Sequence, residues 1–231
     1  MRRLITPMVL ALELVALGAV AACGGKQPSM PIQPQGPSQP QAHLCALGDA
    51  NDCATQCLRN KHAGSCMELG AMYEGGLSLP VDLKRATELY LQSCEMGNGF
   101  SCSSAGYMFG TGKGVTVDYP KSIVLYKRAC DAGVGQGCYN LGVMYESGYG
   151  VTADNAVAVT HFEYACLIGS AAGCSSAGMA YLVGRGVVQN RERGFTLLKQ
   201  GCAGGNKWGC DRLRELMGGG SGASGGGGSS M

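Results

Sequence analysis

A 36-residue period runs through the middle of this chain, in rows that each open on a cysteine: residues 66–101, 102–137, 138–173 and 174–209. Three positions after the cysteine stands Leu69, Ala105, Leu141 or Ala177, followed by Gly70, Gly106, Gly142 or Gly178. Three positions further comes an aromatic: Tyr73, Phe109, Tyr145 or Tyr181. Steps of three and four mark one face of a helix. A fixed period of this size means a stack of similar units, each of which buries its apolar face only against its neighbours.

Each row divides into two helices. Gly76, Gly112, Gly148 and Gly184 form a second glycine column, suited to a left-handed residue that ends the first helix, A. Asp82, Asp118, Asp154 and Asn190 follow; their short polar side chains accept hydrogen bonds from the free N–H groups that open the second helix, B. Helix B carries Ala86, Leu89 and Tyr90 in the first row, Leu125 and Tyr126 in the second, and Phe162, Leu197 and Leu198 in the last two. It ends near Cys94, Cys130, Cys166 and Cys202, with Gly97, Gly133, Gly169 and Gly205 beyond. The glycines at 70, 106, 142 and 178 lie inside helix A, where glycine costs about 1 kcal/mol relative to alanine. Close approach of another helix offsets that cost, with the aromatic three residues later expected to fill the adjoining space. Ser78 stands where later rows have Gly114, Gly150 and Gly186, so the first inter-helix turn is expected to differ.

Twelve of the thirteen cysteines fall into local pairs: CALGDANDC, CLRNKHAGSC, CEMGNGFSC, CDAGVGQGC, CLIGSAAGC and CAGGNKWGC. Such an even set reads as a disulfide framework if the compartment is oxidising. Cys23 is left over. It follows Arg2, Arg3, an apolar run from Leu4 to Ala22 and the small residues of VAAC, the architecture of a secretory signal. A membrane-spanning helix is the rival reading of a run close to the roughly 20 residues a bilayer needs, and Glu13 at its centre counts against it. The segment resembles the lipobox of bacterial lipoproteins. That resemblance implies cleavage of residues 1–22, acylation of Cys23 and a lipid-anchored place in the bacterial envelope; Gly24 after the cysteine implies the outer membrane. More than one acyl chain anchors stably, whereas one is marginal.

The helix columns, LGxMY or AGxMF with following glycines, resemble the Sel-one-like repeat, a relative of the tetratricopeptide repeat. The cysteine joins resemble its cysteine-rich bacterial subfamily of secreted proteins. The resemblance implies an all-α, right-handed solenoid of αα-hairpins with disulfides stapling successive repeats. On it we expect pairs 45/53, 57/66, 94/102, 130/138, 166/174 and 202/210, with exchange open among Cys45, Cys53, Cys57 and Cys66, because Cys53 and Cys57 lie one turn apart. Domain limits follow: signal 1–22, a Pro/Gln-rich linker 23–43, a solenoid 44–217 and a Gly/Ser-rich tail 218–231. Prolines at 28, 31, 34, 37 and 40 match the three-residue turn of polyproline II, a semi-rigid spacer.

Without the signal the formal charge is +1, which argues against nucleic acid, whose phosphates call for a basic surface. Charge is uneven, however. Residues 139–184 contain Glu146, Asp154 and Glu163 but no lysine or arginine, while 185–215 carry Arg185, Arg191, Arg193, Lys199, Lys207, Arg212 and Arg214. A solvated end of the domain or a contact for an anionic partner would each account for that. No metal site is expected, since seven-residue gaps between cysteines fit structural zinc poorly, and no cofactor motif occurs.

Some members of the cysteine-rich subfamily act on β-lactams, so a penicillin-binding, β-lactamase or peptidoglycan-acting enzyme is the alternative reading. The chain lacks S-x-x-K, K-T-G and H-E-x-x-H, nucleophile and zinc arrangements of such hydrolases. No catalytic residue is assigned. His43, His62 and His161 are read as linker, loop and packed helix residues, and the serines at 103, 104, 175 and 176 as exposed small residues. What remains is a binding surface: stacked helix pairs present an inner groove lined mainly by helix A. Its candidates here are Glu68, Ser104, Tyr107, Asn140, Ser176 and Met179, and its expected occupant is an envelope protein, a peptide or a peptidoglycan fragment. A spacer with no ligand is a further alternative.

Overall fold

The chain divides into two units, Met1–Ser38 and Gln39–Met231. The computed structural model describes residues 45–46 and 48–218, all in the second unit. The expected signal segment, Cys23, the linker with His43, and residues 219–231 of the tail lie outside the described residues. Gly218, assigned to the tail, closes the last helix instead.

Among the described residues there are ten helices and no strand. They are α1 (Ala50–Leu58), α2 (Ala63–Gly75), α3 (Leu83–Glu95), α4 (Gly99–Thr111), α5 (Tyr119–Asp131), α6 (Gly135–Ser147), α7 (Asn155–Leu167), α8 (Ala171–Val183), α9 (Arg191–Ala203) and α10 (Lys207–Gly218). Helices α2 to α9 form four hairpins; α1 precedes them as a short helix B, and α10 closes them as a lone helix A. Each hairpin packs on the next, and the A helices α4, α6, α8 and α10 also meet one another from repeat to repeat. They form the inner layer of a helical-repeat solenoid.

The polar residues that open the B helices act as the pattern requires. Asp82 accepts from Arg85 N, Asp118 from Lys121 N, Asp154 from Ala156 N and Val157 N, and Asn190 from Arg193 N. Gly76, Gly112, Gly148 and Gly184 end the A helices in left-handed conformation, with φ of 68°, 73°, 71° and 73°. His62 is not a simple loop residue: it caps α2, its Nδ1 accepting from Ser65 N at 3.1 Å.

Two expectations about glycine need correction. The glycine inside each A helix admits the B helix of its own hairpin, and the aromatic three residues later is not what fills the space. A Cβ on Gly70, Gly106 or Gly142 would lie 2.9, 2.8 or 2.6 Å from the ring of Tyr90, Tyr126 or Phe162. In the fourth hairpin Leu198 replaces the ring, and the backbones themselves close in: a Cβ on Gly178 would meet Leu198 N at 2.8 Å and Gly194 O at 2.9 Å. The first inter-helix turn also does not differ. Ser78 adopts φ 61°, close to the 70°, 72° and 72° of Gly114, Gly150 and Gly186. Those glycines press on the start of the preceding B helix, at Leu83, Tyr119 and Asn155. Ser78 has no full hairpin before it and is exposed, so a side chain fits.

Disulfides join each hairpin to the next and the fourth hairpin to α10. Cys94 bonds Cys102, Cys130 bonds Cys138, Cys166 bonds Cys174 and Cys202 bonds Cys210. At the N-terminal end Cys57 bonds Cys66, and Cys53 bonds Cys45. Cys53 holds the helix position filled by Tyr90, Tyr126 and Phe162 in later repeats, so a disulfide stands where α1 has no A helix to pack on.

The charge imbalance of the sequence is evened out in space. Arg185 Nη1 lies 2.6 Å from Glu146 Oε1, and Arg193 pairs with Glu163. The acidic third row and the basic fourth row thereby tie adjacent hairpins together. In α10, Asp211 pairs with Lys207 and Arg214, and Glu215 with Arg212.

Candidate functional site in the inner layer

Small and polar residues on the inner face of successive A helices leave depressions between them. Two clefts result, sharing α6 as a wall.

The first, about 310 Å³, is lined by Glu74 of α2, Ser103, Ser104 and Tyr107 of α4, and Gln136 and Asn140 of α6. Gln136 Nε2 donates to Asn140 Oδ1 at 2.8 Å. Glu74 Oε2 accepts from the Tyr90 hydroxyl at 2.8 Å. Burial, and then that hydrogen bond and the charges of Glu74 and Glu68, hold the Tyr90 phenol well above its ordinary range. Burial also raises Tyr126, while hydrogen bonds with Ser122 and Asn140 pull it back. Lys113 Nζ rests 4.8 Å from the centre of the half-exposed Tyr107 ring.

The second cleft, about 450 Å³, lies toward the C-terminal end. Tyr139 and Glu146 of α6, Ser176, Met179, Ala180 and Val183 of α8, Arg185 of the following turn, and Trp208 and Arg212 of α10 line it. Trp208 is 45% exposed, and the Arg212 guanidinium carbon lies 5.9 Å from its ring centre. Met179, Ala180, Val183 and Trp208 make this cleft apolar on one side, with both signs of charge at its margin.

Of the six groove candidates, Ser104, Tyr107 and Asn140 come together in the first cleft, and Ser176 and Met179 in the second. Glu68 lines neither, although its charge reaches Tyr90. Glu74, Gln136, Glu146, Trp208 and Arg212 were not anticipated. Arg212 stands two positions after Cys210, in the column of Glu68, Ser104, Asn140 and Ser176, so extending that column into the terminal half-repeat reveals it.

The serines correct another expectation: Ser103 and Ser175 are buried and Ser104 and Ser176 half-buried, with Ser175 Oγ donating to Ala171 O. The side chains that line the clefts offer hydrogen bonding, charge and apolar contact. His161 stacks on Tyr145, ring centres 5.5 Å apart. Burial, with a smaller contribution from Lys127, lowers its pKa.

The Sel1 repeat family matches residues 63–98, 100–134, 135–170 and 171–206. Among solved structures, the Sel1 repeat protein of Oxalobacter formigenes superposes with a TM-score of 0.69 at 20% identity, over 72% of this chain and 66% of that one. The c5321 protective antigen of uropathogenic Escherichia coli, which displays an SLR fold, gives 0.66 at 26% identity, over 75% of this chain and 38% of that one. This chain thus spans just under two thirds of the first protein and well under half of the second. No curated protein matches it.

Proposed function

The chain belongs to the Sel1 repeat family, and from that premise we propose that it is a membrane-anchored, extracytoplasmic scaffold that holds a polypeptide segment in its inner groove. The observation that carries this reading is the alignment of the two clefts, one polar and one partly apolar, along a single layer of A helices. A stapled solenoid suits the task. Short glycine-rich helices bury little area each, and disulfides between hairpins keep the inner surface in one shape, so less ordering is needed when a ligand docks.

The cysteines support the location. Six disulfides support an oxidising compartment, and no described helix is long and apolar enough to cross a membrane. In this proposal residues 1–22 direct export, acylated Cys23 anchors the chain at the bacterial envelope, and the proline-rich residues up to 43 set the solenoid off from the bilayer.

The test is capture of partners from detergent-solubilised envelope by the oxidised protein, beside an Asn140→Ala/Tyr107→Ala variant. The expected result is a specific partner lost with the variant while the thermal midpoint stays unchanged. Equal recovery by both proteins, or nothing above background, contradicts the proposal.

A further inference from the structure

Charge is graded along the inner layer. At the first-hairpin end, Glu74 lines the polar cleft and Glu68 stands on the same helix, α2. Neither belongs to any ion pair among the described residues. Lys113, over the Tyr107 ring, pairs with neither of them. An unpaired carboxylate beside a phenol and serine hydroxyls suits an ammonium or guanidinium group.

The other end is different in kind. Arg185 and Arg212 border the apolar wall of Met179, Val183 and Trp208. Each makes one contact to a carboxylate, Arg185 to Glu146 at 2.6 Å and Arg212 to Glu215 at 2.7 Å. A guanidinium has five N–H donors, so each retains capacity for a second carboxylate. Between the two ends, Gln136 and Asn140 offer the amide groups that pair with a peptide backbone. The spacing can be estimated as well. The clefts centre on α4 and α8, two A-helix intervals apart, and packed helices lie about 8–10 Å apart. An extended chain spans that distance of roughly 16–20 Å in about five or six residues.

Resting on the peptide-scaffold reading above, we propose that the groove accepts an extended polypeptide in one fixed polarity. A cationic side chain sits against Glu74 in the polar cleft, with the charge of Glu68 on the same helix adding to the field there. About five or six residues away, an apolar side chain enters the Trp208 cleft with a neighbouring carboxylate on Arg212 and Arg185. An uncharged glycan strand satisfies neither end.

A phage-displayed library of random dodecapeptides, panned on the oxidised full-length protein, tests this. Selected peptides are expected to place lysine or arginine at one end and an aromatic or aliphatic residue next to aspartate or glutamate at the other, at the stated separation. For one such peptide, the Glu68→Gln/Glu74→Gln variant should lose at least about tenfold in affinity. That loss should vanish when the peptide's basic residue is replaced by glutamine. Arg212→Gln should couple in the same way to the peptide's acidic residue, and circular dichroism of each variant checks folding. Groove-binding peptides without this charge order, or affinities that show no coupling, overturn the polarity and leave the scaffold reading standing. Failure to enrich any peptide overturns both.

Discussion

At the level of single residues, glycine governs how closely the helices approach, and what a glycine faces decides how much a substitution costs. Gly70 faces the edge of the Tyr90 ring, which can tilt, whereas Gly178 faces the α9 backbone, which cannot. Alanine gains up to about 1 kcal/mol of helix propensity against overpacking of about 1–3 kcal/mol. Gly70→Ala is therefore expected to lower stability by less than about 1 kcal/mol and Gly178→Ala by about 2 kcal/mol, measured by urea unfolding. Gly114→Ala and Ser78→Gly form a second contrast. The first strains a residue at φ 70° and drives a side chain into Leu83; the second relieves a left-handed serine. Loss in the first and none in the second is the expected outcome of thermal melts. His161 supplies a pH signature. Its folded pKa lies below the ordinary value of about 6.5, so the unfolded chain binds the proton more readily. Its contribution is complete above that ordinary value and is lost as pH falls below it toward the folded pKa. His161→Gln should flatten the fall in stability as pH drops below about 6.5, read from thermal midpoints across a pH series.

Among the elements, the disulfides and the hairpins are coupled. A nine-residue loop closed by a disulfide is worth at most about 2.6 kcal/mol in the chain-entropy account, and a hairpin contacts little beyond its neighbours. Replacing Cys130 and Cys138 together by alanine is expected to cost about 2 kcal/mol. It should also separate unfolding into two steps, because it uncouples the halves of the stack. The same change at Cys202 and Cys210 should loosen α10 alone. Hydrogen exchange followed by peptide distinguishes these patterns; a uniform response to both changes would contradict the nearest-neighbour picture. Much of this level was legible in the sequence. Columns of glycine, aspartate and cysteine at a 36-residue period specify where helices begin, end and join, because capping and periodicity are local. The identity of the residue packed on each helical glycine was not legible, since Tyr73 and Tyr90 are equally aromatic and only the crossing of α2 and α3 selects Tyr90. Ser78 misled for a similar reason: the glycine column answers to the preceding hairpin, and the first row has none. The clefts were half legible. A column read through four rows finds Ser104, Asn140 and Ser176 but stops short of Arg212, and Glu146 and Arg185 meet across 39 residues of chain.

Across the whole molecule, the ion pairs of Glu146 with Arg185 and Glu163 with Arg193 convert a lopsided sequence into a fourth hairpin matched to the third. Both are exposed enough for solvent to weaken them, so their larger role is register between repeats. The inner surface then sits on a scaffold stapled by six disulfides, and the proposed export and anchoring at Cys23 set which partners it meets. These properties are tested together by the intact mass of the protein extracted from its native membrane, before and after reduction and thiol alkylation. The account predicts a chain that begins at an acylated Cys23, with twelve thiols that become alkylatable only on reduction. Unacylated protein whose thiols react before reduction would contradict it.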